Sequence, residues 1–248
     1  MKKTTLLLLI VFISFKSLGQ NYSLNLFMGF DPAKTGAGTL DFYYVDESPS
    51  QDNLSSRVEM PEKKMGFVIG GNFDYKTESN VLLRFGIKGL VGKVSGFELD
   101  FGGGYEVFNN EKFNISPMLI LTYGSAGVKL GDIYQNDVYI EVNHTQFYSE
   151  SVAVRLKRKH FLATPKIAFG MPISDNMEIF SEIGYQLPLS ISSSYLEFQG
   201  EDENNETKTA KESINANNVY LALNNKQIKS NYIGVNGLSI NFGLKIKL

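Results

Sequence analysis

Apolar and polar residues alternate with a period of two along most of the chain. Between positions 65 and 75 the odd positions carry apolar residues or glycine, and the even positions include Asn72 and Asp74. Successive side chains of a β-strand point to opposite faces, so this alternation predicts strands with one apolar and one polar face. The same pattern predicts eight strands, at residues 22–30, 65–75, 81–91, 97–107, 113–123, 161–171, 177–189 and 238–248.

The connections between these strands alternate in length. Short connections rich in turn residues lie at 77–80, 109–112 and 174–176, and a tight turn is predicted near 94–96. The remaining connections, at 31–64, 125–160 and 190–237, are far longer than is usual in a compact soluble domain. Barrels of the outer membrane have short periplasmic turns and long external loops, and their strands need only ~9–11 residues to cross the bilayer.

The pattern therefore predicts an all-β protein, a transmembrane antiparallel up-and-down β-barrel of eight strands with long external loops. Beyond the N-terminus, no segment has the ~18 consecutive apolar residues of a membrane-spanning helix. Strand-like alternation also occurs within the long loops, at 138–142, 152–156 and 218–223. The preferred interpretation is that barrel strands continue above the membrane as ribbons. The alternative is a barrel of ten strands, with residues 149–151 in the periplasm and 174–176 outside.

The N-terminus has the three parts of a secretory signal peptide. Lys2 and Lys3 precede an apolar run, and Ser17 and Gly19 place small residues before a cleavage site. The apolar run is too short for a transmembrane helix, which is the alternative interpretation. We expect a signal peptide over residues 1–19 and a β-barrel domain over residues 20–248.

Composition excludes several kinds of function. The chain has 24 Lys and Arg against 26 Asp and Glu, and a net charge of −2 argues against nucleic acid as a partner. The absence of cysteine excludes disulfides, thiol catalysis, cysteine-bound zinc and a lipid anchor on cysteine. With only two histidines, the chain offers little material for a metal site. We expect no metal and no cofactor.

The signal peptide, the alternation of short and long connections, and the amphipathic strand at 238–248 together resemble the eight-stranded outer-membrane β-barrel superfamily. This superfamily includes the OmpA transmembrane domain, OmpX and PorT-like proteins. The resemblance implies an outer-membrane location, insertion by the barrel-assembly machinery, and contact with membrane lipid and lipopolysaccharide. For PorT-like proteins it also implies a role in a secretion apparatus.

The polar faces of the predicted strands carry charges of both signs. Eight strands enclose an interior just wide enough to be filled by side chains, so these charges are expected to pair there. With a turn near 94–96, Lys88 lies opposite Asp100. The same register brings Arg84 near Glu106. The predicted polar network of the lumen comprises Arg84, Lys88, Glu98, Asp100, Glu106, Lys166, Glu178, Glu182 and Lys245.

Lys166 and Glu182 are also expected to meet, because they lie on either side of the short turn at 174–176. Complementary charges on neighbouring strands favour a static polar plug that fills the lumen. The alternative is a gated path for protons or small ions.

The histidines offer weak support for catalysis. Some small outer-membrane barrels are lipid acyltransferases or deacylases that use a histidine with a serine and a carboxylate. The candidates are His144 in a long loop and His160 at the start of the predicted strand at 161–171, and Ser149 and Ser151 could approach His160 only if the loop folded back. Neither histidine lies in a motif of those families, so we expect no enzymatic activity and a histidine within a polar network at the rim.

Three cations are predicted at the height of the lipid headgroups. Arg155, Lys157 and Lys159 lie on the same odd positions as Phe161, which faces lipid in the predicted strand. Arginine and lysine bind phosphate through charge-assisted hydrogen bonds. We hypothesise that these residues contact lipopolysaccharide. In the alternative interpretation they pair with acidic loop residues such as Glu150 or the acidic tract at 201–206.

Two functions follow from these predictions. The first is a non-catalytic outer-membrane protein with a filled interior, which acts in envelope structure or surface interaction through its long extracellular loops. The alternative is a small-solute channel, or an accessory of transport or secretion.

Overall fold

The computed structural model describes residues 21–45, 53–134, 138–228 and 232–248. Within these ranges the regular structure consists of β-strands and turns. No helix in this part of the chain has the length and apolar character needed to span a bilayer. The predicted signal peptide at residues 1–19 lies outside the described residues.

The described residues form strands β1 to β17. Their bounds are β1 (Tyr22–Thr35), β2 (Gly38–Val45), β3 (Asn53–Met60), β4 (Lys63–Lys76), β5 (Val81–Val91), β6 (Val94–Tyr105), β7 (Phe108–Asn109), β8 (Asn114–Tyr134), β9 (Ile140–Val142), β10 (Thr145–Phe147), β11 (Ser151–Ser174), β12 (Met177–Ile191), β13 (Tyr195–Glu201), β14 (Thr207–Ser213), β15 (Val219–Leu223), β16 (Lys226–Gln227) and β17 (Gly237–Lys247).

Eight of these strands form a closed antiparallel ring. Their order is β1, β4, β5, β6, β8, β11, β12 and β17, and β17 pairs again with β1. Each of the eight predicted strands overlaps one strand of this ring. The prediction of an all-β, antiparallel fold is confirmed.

One end of the ring, here called the turn end, holds the short connections predicted at 77–80, 109–112 and 174–176. The amide of Lys247 donates to the carbonyl of Asn176 at 2.9 Å, and the amide of Leu248 donates to the carbonyl of Tyr22 at 2.9 Å. The ten-strand alternative places residues 174–176 at the end opposite to residues 22 and 248. In the ring, these residues lie at the same end.

The turn between β5 and β6 differs from the prediction. It lies at Gly92 and Lys93, not near 94–96. Gly92 has a φ of +125°, which favours glycine because a Cβ is strained there. The earlier turn shifts the register by two residues, so Glu98, not Asp100, is the ladder partner of Lys88.

At the other end of the ring, the long connections fold into a second layer, here called the cap. The cap comprises the sheet β16-β15-β2-β3, the hairpins β9–β10 and β13–β14, and the upper parts of β8 and β11. β13 pairs with β11 along residues 153–157, just above the segment of β11 that pairs with β12. Residues 152–156 thus continue a barrel strand, as the ribbon interpretation predicts, whereas β9 pairs with β10 outside the ring.

The cap has an apolar core of its own. Phe42 and Tyr44 of β2 face Phe198 of β13, with ring centroids 6.1 Å and 5.0 Å apart. These rings are fully buried beside Val154 and Leu156 of β11. The described parts of the long connections are therefore packed, with an aliphatic and aromatic interior like that of a β-sandwich.

Candidate functional site

Below the cap, the polar and apolar faces of the ring are reversed relative to those of a soluble protein. On β5, Leu83, Phe85 and Ile87 are 49%, 54% and 47% exposed, whereas Arg84 and Lys88 are 5% and 4% exposed. Every strand of the ring contributes to this exposed apolar belt. Its members include Leu26, Met28, Phe30, Phe67, Ile69, Leu83, Phe85, Ile87, Phe97, Leu99, Phe101, Leu119, Tyr123, Ile167, Phe169, Met171, Ile179, Ile183, Tyr185, Leu238 and Phe242.

The upper lumen contains one lysine among three carboxylates. Lys88 Nζ lies 2.7 Å from Asp31 Oδ2, 3.0 Å from Glu98 Oε2 and 3.8 Å from Asp100 Oδ2. All four side chains are buried. A buried charge is tolerated when it is paired and hydrogen-bonded, so Lys88 holds these carboxylates within the lumen.

Neutral groups complete this arrangement, here called the Lys88 cluster. Ser239 Oγ donates to Asp31 Oδ1 at 2.5 Å, and Thr122 Oγ1 donates to Asp100 Oδ1 at 2.6 Å. His160 Nε2 hydrogen-bonds to Glu98 Oε1 at 2.9 Å. Because its members lie on β1, β5, β6, β8, β11 and β17, the cluster connects opposite walls of the ring.

A second group, here called the Arg84 cluster, lies closer to the turn end. Arg84 binds Asp74 in a bidentate manner, with Nε to Oδ1 at 2.7 Å and Nη2 to Oδ2 at 2.8 Å. Its Nη1 donates across the lumen to Glu182. Lys166 Nζ lies 3.1 Å from the other oxygen of Glu182. The side-chain Nδ2 of Asn25 donates to Asp74 Oδ2 at 2.7 Å.

The remaining predicted lumen residues lie at the turn end. Glu106 accepts hydrogen bonds from Lys76 and from Asn109. Lys245 Nζ lies 3.9 Å from Glu178 Oε1.

The predicted contacts have different outcomes. The contact of Lys166 with Glu182 is present. The contact of Arg84 with Glu106 is wrong, because the ladder places Arg84 opposite Gly102 and the guanidinium turns towards β4 and β12.

The predicted network lacks two charged residues of the Lys88 and Arg84 clusters, Asp31 and Asp74. Asp74 lies on the polar positions of the predicted strand at 65–75, so its parity already indicates the lumen. Asp31 continues the polar positions Ser23, Asn25 and Gly29 one step beyond the predicted strand at 22–30. Extending that strand by one residue would have included Asp31.

Side chains fill the lumen between the charged clusters. Leu82, Met118 and Ile120 form a small buried apolar group. The ring of Phe27 lies against Gly70, where a Cβ would be 2.6 Å from its Cζ atom. The cavity beside the Arg84 cluster has a volume of about 20 Å³, which is close to the space of one water molecule. The lumen is therefore packed, and part of its packing is apolar.

The inward face of β11 changes character where the ring meets the cap. Lys166 and His160 face the polar lumen, and Leu156 and Val154 above them belong to the apolar core of the cap. Arg158 is the exception within the cap, and its guanidinium donates to the carbonyl of Ile233. The core of the cap thus lies directly over the charged lumen.

The outward face of β11 carries the three cations of the lipopolysaccharide hypothesis. Arg155 and Lys159 are exposed, and Lys157 is half-buried and forms an ion pair with Glu197 of β13. Pairing with an acidic residue is what the alternative interpretation predicts for Lys157, although the partner is Glu197 and not Glu150.

Arg155 lies in a different basic group from the one predicted. It lines an open cavity of about 620 Å³ together with Lys93, from the β5–β6 turn, and Lys129 of β8. Lys129 Nζ lies 2.9 Å from Asp132; the lysine side chain is exposed and the aspartate is half-buried. Lys93, Lys129 and Arg155, here called the rim cations, present positive charge just above the apolar belt.

The candidate catalytic residues are not brought together. His160 is buried in the Lys88 cluster, whereas Ser149 Oγ donates to the carbonyl of Ser151 at 2.9 Å near the top of the cap. His144 occupies the turn between β9 and β10. Within the described residues, no group of three or more histidine or acidic side chains is arranged to hold a metal ion.

No protein-family model matches the chain, and no curated protein matches it. Among solved structures, it is similar to the outer membrane protease OmpT from Escherichia coli, with 10% identity, a TM-score of 0.42, and coverage of 92% of this chain and 97% of that chain. Acinetobacter baumannii CarO2 shows 10% identity, a TM-score of 0.29, and coverage of 88% and 99%. The β domain of the Bordetella autotransporter BrkA shows 11% identity, a TM-score of 0.29, and coverage of 92% and 99%.

Proposed function

We propose that this chain is a non-catalytic, eight-stranded outer-membrane β-barrel with a closed lumen, whose cap serves surface interaction outside the cell. The observation that carries the proposal is the exposed apolar belt around a ring whose interior is charged and paired. An apolar surface on every side of a ring would cause aggregation in water, whereas it matches the hydrocarbon of a bilayer. A closed ring also satisfies all backbone groups between strands, as the bilayer requires.

The orientation follows from the two ends of the ring. Short turns face the periplasm in known outer-membrane barrels, and longer connections face outwards. The predicted signal peptide and the resemblance to the OmpA, OmpX and PorT-like superfamily support export and insertion by the barrel-assembly machinery. The cap then lies at the cell surface, where it can meet other molecules.

A closed lumen is supported by contacts that cross it. The Lys88 and Arg84 clusters join opposite walls, and the apolar core of the cap covers the lumen from above. These contacts favour a structural plug over the channel alternative. The burial of His160 beside Glu98, remote from the serines of the cap, supports a non-catalytic role.

The chain contains no cysteine, so single cysteines can report the proposed orientation without background. Asn204 lies in the β13–β14 turn of the cap, and Glu111 lies in a short connection at the turn end, and both are exposed. In intact cells, a membrane-impermeant maleimide is expected to label Asn204→Cys and to leave Glu111→Cys unlabelled. Both variants should be labelled after lysis.

Labelling of Glu111→Cys in intact cells would contradict the orientation. Equal protection of both variants would contradict surface exposure of the cap. A steady, porin-sized conductance of the purified protein in planar bilayers would overturn the closed lumen, with a known porin in the same membrane as the control for insertion.

We also propose that the rim cations bind lipopolysaccharide phosphate. Lys93, Lys129 and Arg155 line one cavity. Lys129 is paired with Asp132, but its side chain is 55% exposed, whereas that of Lys157, which is paired with Glu197, is 25% exposed. Lys159 lies farther along β11. Three cations around one cavity suit a phosphate group, which forms several charge-assisted hydrogen bonds at once. This replaces the linear arrangement of Arg155, Lys157 and Lys159 with a compact one.

Added lipopolysaccharide is expected to raise the unfolding temperature of the parent protein, because a ligand that binds the folded state stabilises it. A variant with glutamine at all three rim cations should lose roughly half or more of this increase. The measurement is thermal unfolding in detergent with and without the lipid.

A control variant carries glutamine in place of the exposed residues Lys112, Lys211 and Lys226, which removes the same charge elsewhere. It should retain the full increase in unfolding temperature. An equal increase for the parent and the rim variant would refute the assignment of the rim cations.

A further inference from the structure

A groove on the outer surface of the cap has an unusual composition. Its volume is about 520 Å³, and it lies between β2, β15 and the segment that joins β14 to β15. The described residues that line it are uncharged, and Arg57, whose guanidinium interacts with the hydroxyl of Tyr43, forms an ion pair with Asp41. The polar part of the lining is made of two tyrosines and four amides, namely Tyr43, Tyr220, Asn215, Asn217, Asn218 and Gln227.

The two tyrosines form a cross-strand pair. Tyr43 and Tyr220 are ladder partners in β2 and β15, and their ring centroids lie 5.9 Å apart at an angle of 55°. Their neighbours Phe42 and Tyr44 point into the core of the cap, whereas these rings are 45% and 40% exposed. The ladder therefore holds two aromatic rings at the surface in a fixed relation.

The asparagine side chains of the groove extend from a backbone segment that is held by hydrogen bonds. The amide of Ala216 donates to the carbonyl of Ser213 at 3.1 Å, and that of Val219 donates to Ala216 at 3.1 Å. The amide of Val45 donates to the carbonyl of Asn218 at 3.0 Å, which joins the segment to β2. Each carboxamide side chain of this lining can offer a ligand two N–H donors and one oxygen acceptor.

We propose that this groove binds a neutral saccharide. The C–H face of a sugar ring is apolar and suits an exposed tyrosine ring, whereas its hydroxyl groups both donate and accept hydrogen bonds, as carboxamides do. An anionic or cationic ligand would require an opposite charge in the lining to compensate for its desolvation. The inference rests on the proposed location of the cap outside the cell, where glycans of surfaces and secretions are accessible.

The test uses the full chain, purified in a polyoxyethylene detergent because many other detergents carry sugar headgroups. Maltohexaose, cellohexaose, mannohexaose and galactohexaose are titrated by isothermal calorimetry, with an oligogalacturonate as the acidic probe. We expect binding of at least one neutral hexasaccharide. Tyr43→Ala and Tyr220→Ala should each weaken that binding by about tenfold, because each removes one stacking face.

Matched variants separate stacking from folding. Tyr134→Ala removes a tyrosine that is 67% exposed elsewhere in the cap, and it should leave saccharide affinity unchanged. Tyr43→Phe retains the ring and should retain most of the affinity. Folding of every variant is verified by its heat-dependent shift on an SDS gel.

Three results would overturn the inference. The first is that no neutral hexasaccharide binds at ~10 mM, a concentration above the dissociation constants of ordinary recognition. The second is an equal loss of saccharide affinity for Tyr43→Ala and Tyr134→Ala. The third is tighter binding of the acidic probe than of the neutral hexasaccharides. Binding is measured on the purified protein, so a failure here is distinct from a failure of the proposed orientation, which the cysteine labelling reports.

Discussion

Replacing Lys88 by methionine is expected to destabilise the folded barrel by at least about 3–5 kcal/mol, the usual cost of breaking a buried ion pair. The substitution keeps a side chain of similar length and leaves Asp31, Glu98 and Asp100 buried without a cation. Their mutual repulsion opposes closure of the ring, because these carboxylates lie on β1 and β6, on either side of the lumen. The measurements are the urea midpoint in detergent micelles and the fraction of heat-shifted protein on an SDS gel.

A further variant keeps this prediction testable if the Lys88 variant does not fold. The combination of Lys88→Met with Asp31→Asn and Glu98→Gln removes two of the unpaired charges and should recover part of the stability. Lys112→Met, in an exposed turn, is the matched control. An unchanged urea midpoint for Lys88→Met would show that the cluster contributes nothing to stability.

Arg84→Met is expected to cost about 3–5 kcal/mol for the same reason. The guanidinium makes a bidentate contact with Asp74 and a second contact with Glu182, so both carboxylates lose a partner. Adding Asp74→Asn to this variant leaves the pair of Lys166 and Glu182 as the remaining charges of the cluster. We therefore expect the double variant to recover more than half of the lost stability.

The recovery distinguishes charge balance from lost packing. If burial of the arginine side chain were the main contribution, then Asp74→Asn would not compensate for Arg84→Met. Arg84→Lys supplies a third comparison, because lysine keeps the charge without the bidentate geometry. Its loss should lie between those of the parent and Arg84→Met, and additive losses in the double variant would contradict the proposed balance.

The sequence predicts which face of each barrel strand points inwards, because the period of two is preserved throughout each strand. Leu83, Phe85 and Ile87 lie outside, and Arg84 and Lys88 lie inside, as their positions indicate. A shift of two residues in the β5–β6 register keeps this parity, so the faces are right even where the register is wrong.

The sequence does not predict which residues make contact across the lumen. The contact of Arg84 with Glu182 joins residues on β5 and β12, which are not neighbours in the ring. Cross-strand reasoning compares adjacent strands only, so it could suggest Lys166 with Glu182 and could not suggest this contact. The exact position of the β5–β6 turn could not be predicted either, because it depends on the backbone conformation of one residue, Gly92.

The cap was predicted only in fragments. The apolar alternation at 152–156 and 218–223 indicates strands, yet the sequence does not show that they share one core. That core depends on contacts between Phe42 and Phe198, which are distant along the chain. The groove formed by Tyr43 and Tyr220 was missed for the same reason, because the two rings meet only through the pairing of β2 with β15.

The pairing of β2 with β15 and that of β1 with β17 have a consequence for how the chain folds. In both the ring and the cap, a strand near the start of the chain pairs with one near its end. The backbone contact of Lys34 with Gly234 lies between these two pairings. Contacts between distant parts of a chain carry the larger entropy of loop closure and slow the folding of β proteins. Without β17, the facing edges of β1 and β12 have no partner, so the ring cannot close before β17 is added. Chaperones that shield open strand edges should therefore act on this chain until its last strand has been delivered.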